Sequence, residues 1–149
     1  MGANVLIRAI GEDERDAWDP LWAGYLAFYK STLAQEISDT AWARFHDPGE
    51  PLFALGGYVD DRLLGFAHYL FHRSTWAPSR YCYLEDLYVS EDARRRGLGR
   101  ALIEEVYRRA EAAGASRVYW LTQSSNAQAR GLYDKVADNL GFIQYRRVL

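Results

Sequence analysis

A glycine pair set among arginines is the part of this 149-residue chain whose residue types most plainly suggest chemistry. The segment Val89-Ser90-Glu91-Asp92-Ala93-Arg94-Arg95-Arg96-Gly97-Leu98-Gly99-Arg100 ends a β run and opens what reads as a helix. The first amides of a helix have no intrahelical partner and carry the positive end of its dipole. Glycine has no Cβ, so an anion can approach the amides of Gly97, Leu98 and Gly99 closely. Arg94, Arg95, Arg96 and Arg100 add charge and forked donors. Physically this is a cradle for a pyrophosphate. The plainer reading is a strand-to-helix turn with a solvated basic face. The strand before, the helix after and the arginines within favour the cradle. It is not a Walker loop, because no Gly-Lys-Ser/Thr follows. It is a poor Rossmann fingerprint, because Leu102 stands where a third glycine belongs.

Other reactive side chains are sparse. Cys82 is the one cysteine, so an internal disulfide is excluded and a reducing, cytoplasmic location is expected. As a nucleophile it would need an activating base, and it reads as strand packing. His68 and His72 are four apart on a β run and can share a face, but two histidines without a third ligand make a poor metal site. No metal is expected. Net charge is -2, which argues against nucleic acid, since that partner needs a cationic face. A local basic cluster in an acidic chain suits a small anionic ligand better. No apolar run approaches the roughly 20 residues of a membrane span. The start, Met1 to Asn4, lacks the basic and long apolar regions of a secretory signal.

The elements that must position these residues follow from patterning, over one domain spanning 1–149. Hydrophobic residues are 49% and charged residues 26%, a balance that excludes a disordered tail. Val5 to Ile10 reads as a strand. Trp18, Trp22, Tyr25 and Tyr29 recur at helical spacing after a cap at Asp13, and Pro20 predicts a start or kink at Asp19. This aromatic stripe reads as core, yet its outer members, with Glu36 and Asp39, could form an acceptor pocket. A short helix fits Ser38 to His46. Leu52 to Val59 and Leu63 to Phe71 pair through Asp60-Asp61-Arg62, residues 73–79 read as loop, and Tyr81 to Val89 is a third long strand. From Gly97, Leu98, Leu102, Val106, Ala110 and Ala113 stripe a helix that Gly114 ends. Val118 to Leu121 is a strand. Ser125 and Gln128 have capping-box spacing before a helix striped by Ala129, Leu132, Tyr133, Val136 and Leu140. Gly141 stops that helix, and Phe142 to Val148 makes a last strand. The order β-α-α-β-β-β-α-β-α-β is an α+β or mixed-sheet sandwich.

At this point a resemblance becomes specific. Arg94-x-x-Gly97-x-Gly99 resembles the Gln/Arg-x-x-Gly-x-Gly/Ala signature of the GNAT superfamily of N-acetyltransferases. Asn126-x-x-Ala129-x-x-Leu132-Tyr133 is similar to the second cofactor segment of that family, and Leu140-Gly141-Phe142 to its usual ending. Tyr83 to Val89, Tyr119-Trp120-Leu121-Thr122 and Gly141 to Tyr145 look like the polyamine and histone acetyltransferase branch. The resemblance implies acetyl-CoA as cofactor and a mostly antiparallel central sheet flanked by helices, splayed between its fourth and fifth strands. It also implies a primary amine acceptor, either a small molecule or a basic peptide, and a homodimer.

Residue by residue, the resemblance implies pyrophosphate binding at residues 94–100 and pantetheine along Leu87, Tyr88 and Val89. The oxyanion donor would be the N–H near Val89, where the strand bulges and splays. Asn126 and Ala129 would touch the pantetheine, Lys135 could reach the 3′-phosphate, and Tyr133 is the candidate general acid. Direct amine attack also needs a neutral nitrogen. Glu85 and Asp86, on opposite faces of a regular strand, could supply a base, with Glu85 preferred, or bind a cationic substrate; the plainer alternative is a strand-end carboxylate paired with an arginine. Tyr29 and Glu36 complete the predicted acceptor side. The alternatives are a noncatalytic acyl-CoA-binding or interaction module, and a nucleotide-binding protein using the same cradle. The presence of Tyr133, Glu85 and Asn126 argues against the former.

Overall fold

A computed structural model of the chain describes residues 4–94 and 96–149. Five strands, β1 (Val5–Ala9), β2 (Leu52–Val59), β3 (Arg62–Ser74), β4 (Ala77–Val89) and β5 (Val118–Tyr119), form one sheet in the order β1-β2-β3-β4-β5. The first three pairings are antiparallel and β4–β5 is parallel. Four helices flank it: α1 (Arg15–Phe28), α2 (Gln35–Phe45), α3 (Leu98–Ala112) and α4 (Ala127–Val136).

The pleat sorts alternate residues of β2 and β3 into two cores. On one side Leu55, Ala67, Tyr69, Cys82 and Leu84 meet Leu98, Leu102, Ile103, Val106 and Ala110 of α3. On the other, Ala54 and Phe66 meet Ile10, Trp18 and Leu21, with Trp22, Tyr25, Trp42 and Phe45 packed around them. Each buried Leu, Ile or Val contributes roughly 1.5–3 kcal/mol, so the α3 stripe outweighs the marginal stability of a helix of its length alone. The stripe seats the start of α3 directly on the sheet. A Cβ on Gly57 would lie 2.8 Å from Leu98.

Several boundaries depart from the patterning. The first helix does not start at Asp19: Pro20 lies inside α1, between buried Trp18 and Leu21. The second helix begins at Gln35, ahead of the expected Ser38. Residues 73–79 are not a loop: β3 runs to Ser74 and β4 begins at Ala77, with Pro78 in a register irregularity where a missing N–H breaks no ladder bond. Asn126, not Ser125, caps α4, its Oδ1 accepting from the Ala129 N–H at 3.4 Å. The helix ends at Val136. Among the described residues no last strand forms at 142–148. That run has no neighbouring strand, and Phe142, Ile143, Tyr145 and Val148 are 75–90% exposed.

Two features of β4 decide the site. Its pairing with β5 ends at Tyr83↔Tyr119, so Glu85–Val89 have no β5 partner and the sheet parts there. Within β4, Leu84 pairs with Tyr69 but Asp86 pairs with His68, which leaves Glu85 as an extra residue in a bulge. The bulge lies four residues before Val89, not at it. The extra residue breaks the alternation. Leu84 faces the α3 core, while Asp86 is turned to His68 on the α1 side.

Candidate active site

The parted strands open a cavity of about 310 Å³ between β4, α1, α3 and α4. Its outer end is the start of α3. Gly97, at φ +75, occupies the cap position in the left-handed region, and a side chain there would meet nothing within 4 Å. Gly97 has no side chain to cap α3, and among the described residues no side chain bonds the N–H groups of Leu98, Gly99 or Arg100, the amides that a helix start leaves without an intrahelical partner. Arg94 and Arg100 stand beside them, with Nε of Arg94 donating to the Val89 carbonyl at 3.4 Å and Nε of Arg100 donating to Glu104 at 2.9 Å. The opening is therefore a cationic end with free donors and no steric obstruction.

The middle of the cavity is walled by Leu87, Tyr88 and Val89 from β4 and by Asn126, Ala129 and Leu132 from α4. At the inner end Tyr25 and Tyr29 face Tyr133. These three side chains also border a smaller hollow that reaches Glu85. Burial pushes the Tyr133 phenol up to about 12. The Glu85 carboxyl is raised above the ordinary carboxylate value, first by partial burial and then by the Asp86 charge, although the residue still reaches solvent. Tyr25 and Tyr29 are raised by burial and then by the same Asp86 charge. The bulge thus brings both carboxylates to the α1 side, correcting the expectation of opposite faces.

The family model for GNAT acetyltransferases matches residues 9–137. The chain belongs to the GNAT acetyltransferase family. It is 39% identical over 145 residues to the D-amino-acid N-acetyltransferase HPA3 of Saccharomyces cerevisiae, covering 96% of this chain and 90% of that one. A thialysine N-epsilon-acetyltransferase of Caenorhabditis elegans is 32% identical over 53% of this chain and 49% of its own length. Among solved structures, AAC(6')-Iy with a CoA bisubstrate analogue superimposes with TM-score 0.84 at 16% identity, over 98% of this chain and 99% of that chain. A ribosomal-protein-alanine N-acetyltransferase from Brucella melitensis gives TM-score 0.79 at 23% identity, over 98% and 99%. The structural likenesses show the GNAT fold, and with the family and the named relatives this is an acetyl-CoA-dependent N-acetyltransferase of amines.

The geometry suits that cofactor. An elongated anionic molecule placed there would meet helix-start amides and arginines at one end, a narrow part between backbone and α4, and phenols at the other. Of the predicted GNAT residues, Leu87, Tyr88, Val89, Arg94, Gly97, Leu98, Gly99, Arg100, Asn126, Ala129 and Tyr133 line the cavity, as does Tyr29. Arg95 lies outside the described residues. Arg96 is exposed and does not line the cavity, and Lys135 is exposed on the far part of α4. Glu36 is exposed on α2 and is not brought to the site, while Asp39 is engaged by Arg15 at 2.7 Å. Cys82 is fully buried, and burial raises its thiol to about 12, which suits packing and not nucleophilic attack. Among the described residues no three His, Cys, Asp or Glu side chains group as a metal site. Sequence reading missed Tyr25 as part of the wall. Its place in the aromatic stripe, one turn before Tyr29, was the available signal.

Proposed function

We propose that the acceptor is a cationic primary amine, as in a polyamine, a lysine-like small molecule or a basic protein tail, acetylated by direct attack without an acetyl-enzyme. The observation that carries this reading is Glu85 at the β4 bulge, bordering the inner hollow with Tyr25, Tyr29 and Tyr133, and Asp86 next to it, near enough for its charge to act on Tyr25, Tyr29 and Glu85. The relatives named for thialysine Nε- and ornithine N5-acetylation support the cationic side-chain amine, and the D-amino-acid N-acetyltransferase supports a small amine acceptor in general. Acetyl-CoA supplies the acetyl group as a thioester, whose C–S bond is replaced by the new C–N bond. The free amides of α3 with Arg94 and Arg100 hold the diphosphate, and Leu87–Val89, Asn126 and Ala129 hold the pantetheine. Asp86 faces the ammonium charge. Glu85 takes one proton from the ammonium, because only the neutral nitrogen can attack. Burial keeps the Tyr133 phenol protonated at neutral pH; its Oη gives a proton to the departing sulfur and regains one from the newly acylated nitrogen, while Glu85 releases the first proton to solvent.

Steady-state rates with spermidine, lysine, ornithine, thialysine, lysine peptides, D-amino acids and neutral amines test the acceptor. Cationic side-chain amines are expected to give the highest kcat/KM. A clear preference for neutral or anionic amines defeats the reading. For Glu85, the raised carboxyl value sets the sign. The base form is present above it, and kcat/KM falls as pH drops through it. Glu85→Gln is expected to lower kcat/KM by about 10- to 100-fold and to remove that acid-side limb. A variant that keeps the limb assigns the proton to another group.

The same reading includes a cytoplasmic, single-domain protein that forms a homodimer. The exposed apolar run around Phe142, Ile143, Tyr145 and Val148 supports the dimer, since such a patch on a soluble monomer is unusual. Light scattering is expected to give twice the chain mass, and a chain cut after Asn139 is expected to be monomeric. A monomeric full-length chain at about 50 μM removes the dimer, because an obligate interface binds far below that concentration.

A further inference from the structure

The surroundings of His68 give it a definite task. It lies in the middle of β3, 4% exposed, directly opposite Asp86. Phe66 stacks on its ring at 4.3 Å, Phe45 covers it at 4.6 Å and Trp22 at 5.3 Å. Only two polar directions remain, and both are filled. Trp18 Nε1, itself on a fully buried side chain, lies 3.0 Å from His68 Nε2, and Asp86 Oδ2 lies 2.9 Å from His68 Nδ1.

The indole N–H can only donate. His68 Nε2 therefore accepts, and the ring proton sits on Nδ1, from which it is donated to Asp86. The chain of bonds has one direction, Trp18 to His68 to Asp86. A second ring proton would set two N–H groups head to head in an apolar box with no room to turn away.

We propose that Trp18 and His68 are positioning residues that keep His68 uncharged, so that the whole negative charge of Asp86 faces the acceptor amine. The inference rests on the cationic-acceptor reading and extends it to two residues outside the cavity wall. Without the indole donor, Nε2 is free to take a proton, and the imidazolium would neutralise Asp86 from behind. Asp86 would then attract an ammonium less. Among the described residues the other charged or titratable groups around the pair are Glu85 and Tyr88 on β4, the latter 5.9 Å from the Phe66 ring, Tyr25 and Tyr29 on α1, and Arg15, whose guanidinium lies 5.6 Å from the Trp18 ring. Arg15 is already paired with Asp19 and Asp39. On α2, His46 has both ring nitrogens on the carbonyls of Trp42 and Ile10.

Two measurements on the full-length protein test this. Two-bond nitrogen–proton correlation of 15N-histidine protein is expected to show His68 with a bare Nε2 and a protonated Nδ1. A proton on Nε2 overturns the inference whatever the enzyme acetylates, and needs no variant. Trp18→Phe then keeps an aromatic ring but loses the donor. Its KM for a diamine such as ornithine, relative to wild type, is expected to rise about tenfold at about pH 6.5 and to return within about twofold at about pH 8.5, with the KM for acetyl-CoA unchanged. A KM ratio that is the same at both pH values means Trp18 serves packing alone and overturns the proposal. If the acceptor reading fails instead, the panel shows a neutral substrate while the nitrogen spectrum still shows the bare Nε2.

Discussion

Tyr133→Phe is expected to lower kcat by about 100- to 10,000-fold, the range a positioned general acid supplies, while the dissociation constant for CoA stays within about twofold. The substitution removes one oxygen and little else. The ring packs edge-on against Trp120 at 5.4 Å and belongs to the rim of the α3 core, contacts that phenylalanine keeps. Among the described residues no protein group hydrogen-bonds Tyr133 Oη, so its removal orphans no partner. Thermal stability is therefore expected to hold within a few degrees. A core role predicts the opposite pair of results, a changed melting temperature with unchanged turnover, and equal turnover removes Tyr133 from the acid role.

The pH behaviour separates Tyr133 from the base. Burial raises its phenol to about 12, so the acid form persists across the whole assay range and adds no limb there. The sign for stability is the same. The folded state favours the neutral phenol, a contribution present below the ordinary tyrosine value near 10 and lost as pH rises through about 12. An acid-side limb in kcat/KM is then expected from Glu85, whose carboxyl is raised.

How much of this arrangement could be read from the residues depends on whether a regular period carried it. The α3 stripe obeys a 3.6-residue period, and its anchor at Leu98 fixed where the cradle had to be. The aromatic stripe of α1 was equally legible, Pro20 notwithstanding, because tertiary burial overrode one local penalty. The bulge at Glu85 was not legible. Alternation is a rule of period two, and a single inserted residue leaves no mark in composition while reversing every face beyond it. That reversal is what puts Asp86 beside His68 instead of in the α3 core. The buried Trp18–His68–Asp86 chain joins residues 50 and 18 positions apart, a pairing no local pattern encodes. At the end of the chain the error ran the other way. Phe142 to Val148 has strand composition, but a strand exists only where a neighbour offers a ladder, and within one copy of the described chain none does.

Gly97→Asp is expected to weaken CoA binding by at least about 100-fold, or about 2.7 kcal/mol, without unfolding the protein. The position makes the two effects separable. Among the described residues a Cβ at Gly97 meets no atom within 4 Å beyond its chain neighbours, and Gly97 lines the cavity at its cationic end, so added bulk there is expected to act on the ligand and not on the fold. The carboxylate there can take the free amides of α3 for itself and repels the ligand's charge. The backbone contributes separately. A φ of +75 strains a side-chain-bearing residue by roughly 1–2 kcal/mol, less for Asp and Asn. Gly97→Asn carries the same backbone strain and nearly the same bulk but no charge, and it is expected to lose no more than about tenfold in affinity. Calorimetry of wild type and both variants with CoA, beside their melting temperatures, gives the answer. Equal affinity in Gly97→Asp and wild type would move the diphosphate elsewhere, and equal losses in the two variants would make bulk, not charge at the helix start, the controlling quantity.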